Sequence, residues 1–287
     1  MSDRKAFDDI ETMPCADRYL ERIGFTGKPE VSLECLNAIL VAHHRSVPFE
    51  NIDVCDLGRR LDLSPEALFD KIVVRRRGGY CFELNGAFLY LLKALGFEVT
   101  PCYCRSIREG KLGGISHRGV LVYLGGRTYF TDVGYGNIMS PKAILMEDGE
   151  VTSYGEVSFT VKHYAGSWYE IIGDSPYRIN AEGNLERIRK TDLVVSTELA
   201  VCADFDMFND RFQGENSGFR KRRWCIIQTP SGQKSITKST YFAIEDGVLT
   251  KTPVTDGAMR RELMQREFGL SFTDEEWALI EAHTELN

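Results

Sequence analysis

The repeat of apolar residues changes once along this 287-residue chain, and that change limits what it can fold into. Over residues 17–22, 32–44 and 64–73, apolar side chains recur three and four positions apart, the spacing of a helix that buries one face. Ser64-Pro65-Glu66 reads as a helix start, with a hydroxyl N-cap, a proline at the first helical position and an acid in the first turn. A fourth helix over 81–95 places Leu84, Phe88, Leu91, Leu92 and Leu95 on one stripe, and Gly96 follows where a helix end favours positive φ. From Phe97 the repeat shortens to two. Strands are expected over 99–105, 117–124, 128–133, 155–163 and 168–172, a β-rich middle that could close as a barrel or a sandwich. After Asp204 the pattern is mixed, with strands over 224–228 and 239–244 and a helix over 258–268. A final helix follows, capped by Thr273 with Glu276 at N3. The order is α, then β, then α/β, an α+β multidomain chain divided as 1–96, 97–204 and 205–287.

A formal net charge of −7 repels phosphate backbones, so no nucleic-acid partner is expected. Two basic runs oppose that average, Arg75-Arg76-Arg77 and Arg220-Lys221-Arg222-Arg223, and either a solvated face or a phosphate-bearing ligand would account for them. The first residues are polar and acidic, without the apolar core of a signal peptide, and the most apolar stretch, 86–92, is too short to span a membrane. A cytoplasmic protein with no membrane partner is the expectation; the oligomeric state is not legible. Eight cysteines lack a secreted-domain framework and should be free thiols. Cys102 and Cys104 occupy alternate positions of one strand, but no CxxC or HxxxH partner accompanies them, so no metal site is expected.

The chemistry concentrates in Arg77-Gly78-Gly79-Tyr80-Cys81-Phe82-Glu83-Leu84-Asn85. Two glycines allow a sharp turn, and the helix begins at the cysteine. There the thiol meets the positive end of the helix dipole and unpaired amide donors, both of which favour the nucleophilic thiolate. Of the five histidines, His43 and His44 sit late in a helical segment, His283 lies in a polar tail, and His163 lacks an acid at suitable spacing. His117 opens a strand that runs into Gly125-Gly126, a two-residue hairpin signal. Paired positions then sum to a constant that sets His117 opposite Gly134 and Asp132 opposite Gly119. His117 and Asp132 thus share one face on a diagonal, ~7–8 Å apart at the backbone. An odd loop would flip the faces. The spacing therefore yields an Asp132–His117–Cys81 relay, in which Asp132 fixes the tautomer and His117 moves the proton.

These residues resemble the arylamine N-acetyltransferases. The family's Arg-Gly-Gly-aromatic-Cys-x-Glu-x-Asn motif matches 77–85, its histidine-led strand starts at His117, and its Asp-Val-Gly-aromatic-Gly motif matches Asp132-Val133-Gly134-Tyr135-Gly136. Val47-Pro48-Phe49-Glu50-Asn51 matches a fourth motif, and Asn209, Ser217, Phe219 and Phe268-Gly269-Leu270 match more loosely. The resemblance implies a helical first domain, a β-barrel second domain, an α/β lid and acetyl-CoA as donor. It implies Cys81 as the acetylated nucleophile, completed by His117 and Asp132. Gly113, Gly114 and Ser116 match a glycine-bearing loop that contacts the coenzyme, with Ser217 as a further contact from the lid. Phe49 and Tyr135 match positions lining the acceptor pocket, and Glu50 and Arg77 match a buried ion pair bracing the cysteine loop. Two positions depart mildly: Tyr80 stands where tryptophan or phenylalanine is frequent, and Tyr135 where phenylalanine is, which bears on acceptor preference.

The expected reaction is a two-step exchange. Cys81 takes an acetyl group from acetyl-CoA and passes it to an arylamine, hydrazine or other weakly basic amine, backbone amides near Cys81 hold the oxyanion, and no metal takes part. An amide synthase of the same family would use the same three residues. A transglutaminase or cysteine protease also runs Cys, His, Asp in this order, and a non-catalytic binding module would make the three a coincidence.

Overall fold

The computed structural model describes residues 9–283, without 109, 181 and 238 and without the side chain of 108. Helices α1 (Ala16–Arg22) and α2 (Leu33–Ser46) come first, α2 capped by the Ser32 hydroxyl, which accepts from Cys35 N at 3.1 Å. The two-residue strand β1 (Phe49–Glu50) and the single turn α3 (Ile52–Cys55) follow. Ser64 caps α4 (Pro65–Leu68), which widens into a π-helical turn over Phe69–Val74, so the expected helix of 64–73 is two segments. Helix α5 (Cys81–Ala94) is buried on all sides from Cys81 to Leu92, not along one stripe. It passes between the α1 and α4 helices and strands of the next unit, and a helix covered on both sides needs no polar face.

Eight strands form the middle: β2 (Glu98–Arg108), β3 (Lys111–Leu124), β4 (Arg127–Thr131), β5 (Ile144–Leu145), β6 (Val151–Tyr154), β7 (Val157–Ala165), β8 (Trp168–Ile179) and β9 (Leu185–Ser196). They make one antiparallel sheet in the order β5-β4-β3-β2-β9-β8-β7-β6. Its edge strands β5 and β6 meet, so the sheet rolls into a nearly closed barrel, which decides between barrel and sandwich. Leu121, Phe130, Phe159, Ile171 and Leu193 fill it, together with Cys102 and Cys104, whose sulfurs lie 4.0 Å apart. Gly155 turns between β6 and β7 at φ 58°, so the strand expected from 155 begins at Val157. Strands β6 and β9 were not legible: β6 turns the apolar Val151 outward, and the first half of β9 exposes charged residues in adjacent pairs, so neither alternates.

Helices α6 (Asp204–Gln213) and α7 (Gly218–Lys221) lead to β10 (Cys225–Thr229), β11 (Gly232–Ile236), β12 (Thr240–Glu245) and β13 (Val248–Pro253), then α8 (Gly257–Phe268) and α9 (Asp274–Ala282). Phe205 of α6 is buried against Phe82 of α5, with ring centroids 6.3 Å apart. The four C-terminal strands form a sheet whose fifth member is β1, Phe49 pairing with Ile226 and Glu50 with Cys225. The α9 cap follows the sequence signal: Thr273 Oγ1 accepts from Glu276 N at 3.2 Å, and Glu276 Oε2 accepts from Thr273 N at 3.0 Å. His283 is no loose tail; it ends α9 with Nε2 3.8 Å from Cys55 Sγ.

Candidate active site

Cys81 is the first residue of α5 and is buried. The chain reaches it beside β1: Glu50 N donates to Gly79 O at 2.9 Å and Gly79 N to Pro48 O at 3.4 Å. The left-handed residue before the helix is Arg76, at φ 52°, and neither glycine of the motif has positive φ. Gly78 is required by proximity instead, since a Cβ there would stand 2.0 Å from Pro48 O. The glycines thus seat β1 against the cysteine loop and do not make the turn.

A buried ionic cluster fixes this loop. Glu50 Oε1 accepts from Arg77 Nε at 3.0 Å and Nη2 at 2.7 Å, while Oε2 accepts from Ile52 N at 2.8 Å. Arg77 also reaches Asp53 at 3.3 Å and lies over the Phe272 ring at 4.3 Å. Lys71, carried inward by the π turn, bridges Asp53 at 2.8 Å and Glu83 at 2.7 Å. Glu83 Oε2 accepts from Tyr80 N at 3.1 Å, so the cluster ends on the residue before Cys81. Burial raises the Glu83 carboxyl to about 7 although Lys71 opposes it. Asp53 stays well below the usual carboxylate range, because Lys71 and Arg77 outweigh its burial. The expected Glu50–Arg77 pair is present; Asp53, Lys71 and Glu83 are partners that single-residue reading missed.

His117 lies inside β3, not at its start, because that strand begins six residues earlier at Lys111. Cys104 pairs with His117 while Arg105 pairs with Ile115, so Ser116 is the extra residue of a β-bulge that aims its neighbour. The β3–β4 hairpin has the expected register, Leu124 facing Arg127 and Val120 facing Thr131, with Gly125 and Gly126 at φ 59° and 77°. Asp132 sits just past the end of β4, which stops at Thr131, two residues short of the expected 133. His117 Nε2 donates to Asp132 Oδ2 at 2.7 Å, and the Cys81 thiol is a further hydrogen-bond partner of the ring. Asp132 Oδ1 accepts from Asn85 Nδ2 and from Gly134 N, both at 2.8 Å. Asn85 also donates to Arg118 O at 2.6 Å and accepts from Val133 N at 2.9 Å, tying α5 to both strands of the hairpin. Asn85 stood in the motif without a role, and only the fold supplies one. Gly134 crosses so close that a Cβ would lie 2.9 Å from Cys81 Cα.

Burial disfavours the His117 imidazolium, but the Asp132 carboxylate overrides it and the pKa rises to about 10. Asp132 is correspondingly lowered despite burial, through His117 and the Asn85 and Gly134 donors. His44, from α2, also lies near Asp132, where burial pushes it down to about 4 and keeps it neutral. The arrangement places a charged imidazole beside a thiol at a helix N-terminus, the setting that stabilises a thiolate nucleophile.

A cleft of about 660 Å³ adjoins this group, and Gly113, Gly114, Ser116 and Ser217 all line it. Gly113 and Gly114 belong to β3 beyond the bulge, a strand and not the expected loop. Ser217 caps α7, accepting from Phe219 N at 3.1 Å. Lys111 and Arg211 add two cations to the cleft wall, and Phe212 packs at 5.5 Å from Phe82, next to the cysteine. Phe49 is buried on Gly136 and 6.4 Å from Phe219, while Tyr135 stands edge-on to His117 at 6.0 Å. The two aromatics reach the same loop, and neither lines the glycine cleft. The Tyr135 hydroxyl donates to Asp192 Oδ1 at 3.1 Å, and Arg178 holds that carboxylate with contacts of 2.8 and 2.6 Å. The hydroxyl is therefore engaged by β9, a partnership no spacing in the sequence announces. Each basic run ends in a buried arginine, Arg77 with Glu50 and Arg223 with Asp56, so neither is simply a solvated face. Among the described residues, Cys55, Asp56 and His283 form a group with metal-ligand reach, but Arg223 occupies both Asp56 oxygens. Among the described residues, no helix is long and apolar enough to cross a membrane.

A family model described as N-acetyltransferase matches residues 32–277. Arylamine N-acetyltransferase 1 of Homo sapiens is 32% identical over 230 residues, covering 75% of this chain and 78% of that one. The arylamine N-acetyltransferase of Mycolicibacterium smegmatis is 44% identical over 140 residues, a match spanning 46% of this chain and half (50%) of that relative's length. Among solved structures, an M. smegmatis arylamine N-acetyltransferase superposes with a TM-score of 0.81 at 27% identity, covering 93% of this chain and 97% of the other.

Proposed function

The chain belongs to the arylamine N-acetyltransferase family and is an acyltransferase; from that premise we propose that it moves acetyl groups from acetyl-CoA, through Cys81, to arylamines, arylhydrazines and related weakly basic amines. The observation that carries this reading is the meeting of Cys81, His117 and Asp132 where α5 begins, beside the cleft that contains Ser116. With Nε2 committed to Asp132, Nδ1 of His117 is the nitrogen left for the Cys81 proton. Cys81 attacks the thioester carbonyl, the new sulfur–carbon bond replaces the old one, and the departing coenzyme thiolate takes the imidazolium proton. The amine then attacks acetyl-Cys81, His117 accepts the proton that the amine loses, and Cys81 leaves as thiolate. Amides at the start of α5 hold the oxyanion in both steps. The chemistry calls for no metal.

For the coenzyme, the cleft volume lies within the range of small-molecule sites, and Lys111 and Arg211 suit the phosphates of its tail. Gly113, Gly114 and Ser116 leave the β3 backbone open to it, and Ser217 contributes from α7. Phe49 and the ring of Tyr135 border the acceptor, and the hydroxyl of Tyr135, held by Asp192, faces away from it. The eight free thiols suit a reducing compartment and support a cytoplasmic location. The amide-synthase, transglutaminase and cysteine-protease alternatives are not favoured, since the relatives described above are arylamine N-acetyltransferases. Incubation with acetyl-CoA alone should add one acetyl group, mapped to Cys81 and absent from Cys81→Ala, and an arylamine should then remove it. Acetylation at another cysteine would refute the assignment.

A further inference from the structure

The basic run at 220–223 divides by its surroundings. Arg223 is buried on Asp56, Lys221 and Arg222 are exposed, and the half-buried Arg220 lines a hollow of about 370 Å³. Arg59 and Arg60 line the same hollow, with Asp210 as its one acid. Arg59 is held by Glu276 at 2.7 Å and Asp53 at 3.4 Å. Arg60 meets Asp210 at 2.8 Å, but their side chains are 79% and 53% exposed, and such a surface pair is weak. Arg220 has no acidic partner among the described residues, and its Nη2 lies over Gly58, 3.8 Å from where a Cβ would stand. Three guanidiniums around one hollow make a positive potential, and their planar forks match the oxygens of a phosphate.

The hollow borders the glycine cleft, and Gly214 lines both. Asp210 and Arg211 are consecutive on α6, the first lining the hollow and the second the cleft. A ligand that crosses Gly214 therefore passes from the cations of the cleft to those of the hollow. Coenzyme A carries its phosphates in two places, a diphosphate and, beyond it, a monoester on the ribose. In the cleft Lys111 and Arg211 suit the diphosphate, with Glu215 opposing them. The monoester has a charge of about −1.5 to −2 at neutral pH and needs cations of its own. We propose that the hollow of Arg59, Arg60 and Arg220 binds the ribose 3′-phosphate of the coenzyme, an assignment that rests on acetyl-CoA being the donor. Arg220 offers its open fork, and Arg60 exchanges Asp210 for the phosphate.

Acetylation of Cys81 by acetyl-CoA and by acetyl-dephospho-CoA, which lacks only that phosphate, tests this. In the parent, kcat/KM for acetylation should be about tenfold or more lower with the dephospho donor. In Arg60→Gln with Arg220→Gln the preference should fall to near unity. Arg60→Gln alone, at an exposed side chain, should lower it in part, so the test holds even if the double variant does not fold. Lys221→Gln with Arg222→Gln removes the same charge outside the hollow and should keep the preference. Equal use of the two donors by the parent, a preference that survives the arginine substitutions, or an equal loss in the Lys221–Arg222 variant would each overturn the site while leaving Cys81 acetylation intact. Failure of both donors to acetylate Cys81 would instead overturn the proposed function, and the site with it.

Discussion

Among the described residues, Arg77 and Arg118 are the two largest fully buried side chains, and their surroundings differ in kind. Arg77 is met by Glu50 and Asp53, whose contacts join it to Lys71, Glu83 and the residue before the cysteine. Arg118, on the far side of the hairpin, meets two aromatic faces, the Tyr90 hydroxyl and one sulfur. Where buried charge is cancelled by carboxylates, the structure has a brace. Where no carboxylate meets it, the cation is enclosed by ring faces and sulfur. His117 belongs with Arg77 in this respect, since Asp132 balances it as Glu50 balances the arginine.

The comparison can be broken at several points, and the largest effect is expected at the triad. Asp132→Asn keeps the shape but removes the counter-charge and can select the wrong tautomer of His117, a change that costs serine enzymes about 10⁴ in turnover. Here the loss should be comparable or smaller, because a thiol needs less help than a hydroxyl. Near-normal transfer in Asp132→Asn, with His117→Ala inactive, would leave only a Cys–His pair. At the brace, Arg77→Met strands Glu50 without its guanidinium, while Lys71 still holds Asp53, and should cost about 3–5 kcal/mol in urea unfolding.

The pH response separates the balanced from the open cation more finely. His117 is raised from 6.5 to about 10 in the folded chain, so its contribution to stability is fully present below pH 6.5 and is lost as pH rises through about 10. Unfolding free energy should therefore decline across that window, and the decline should flatten in Asp132→Asn. An equal slope in both proteins would mean that the carboxylate does not hold the imidazolium. The smallest effect is expected at Arg118→Met, within about 1 kcal/mol of the parent or slightly stabilising, because an unpaired buried charge gives way to an apolar chain of similar length. If it destabilises as much as Arg77→Met, the two arginines are alike and the contrast is lost.

Much of the site could be read because chemistry and geometry were written locally. Gly125 and Gly126 set an even hairpin loop, and its parity alone put His117 and Asp132 on one face. The cysteine at a helix start, the caps of Ser64 and Thr273, and the Gly96 terminus followed from nearest-neighbour rules. The Ser116 bulge was hidden, since an extra residue in one strand shows only against its partner. So was the burial of α5 on all sides, which depends on what covers its second face.

The sequence by itself thus determined which residues are candidates to react, in what order along the chain, and that helices give way to a β-rich unit at Phe97. Tertiary structure alone decided that the sheet closes to a barrel, that β1 joins strands nearly 180 residues further on, and that Asn85 and the Asp53–Lys71–Glu83 cluster hold the site. It also decided that Asp192 takes the Tyr135 hydroxyl and that Arg118 is left without a carboxylate. Periodicity and capping act over a few residues, so the chain states them directly. A buried charge is balanced by whatever the fold brings beside it, and no spacing along the chain records that distance.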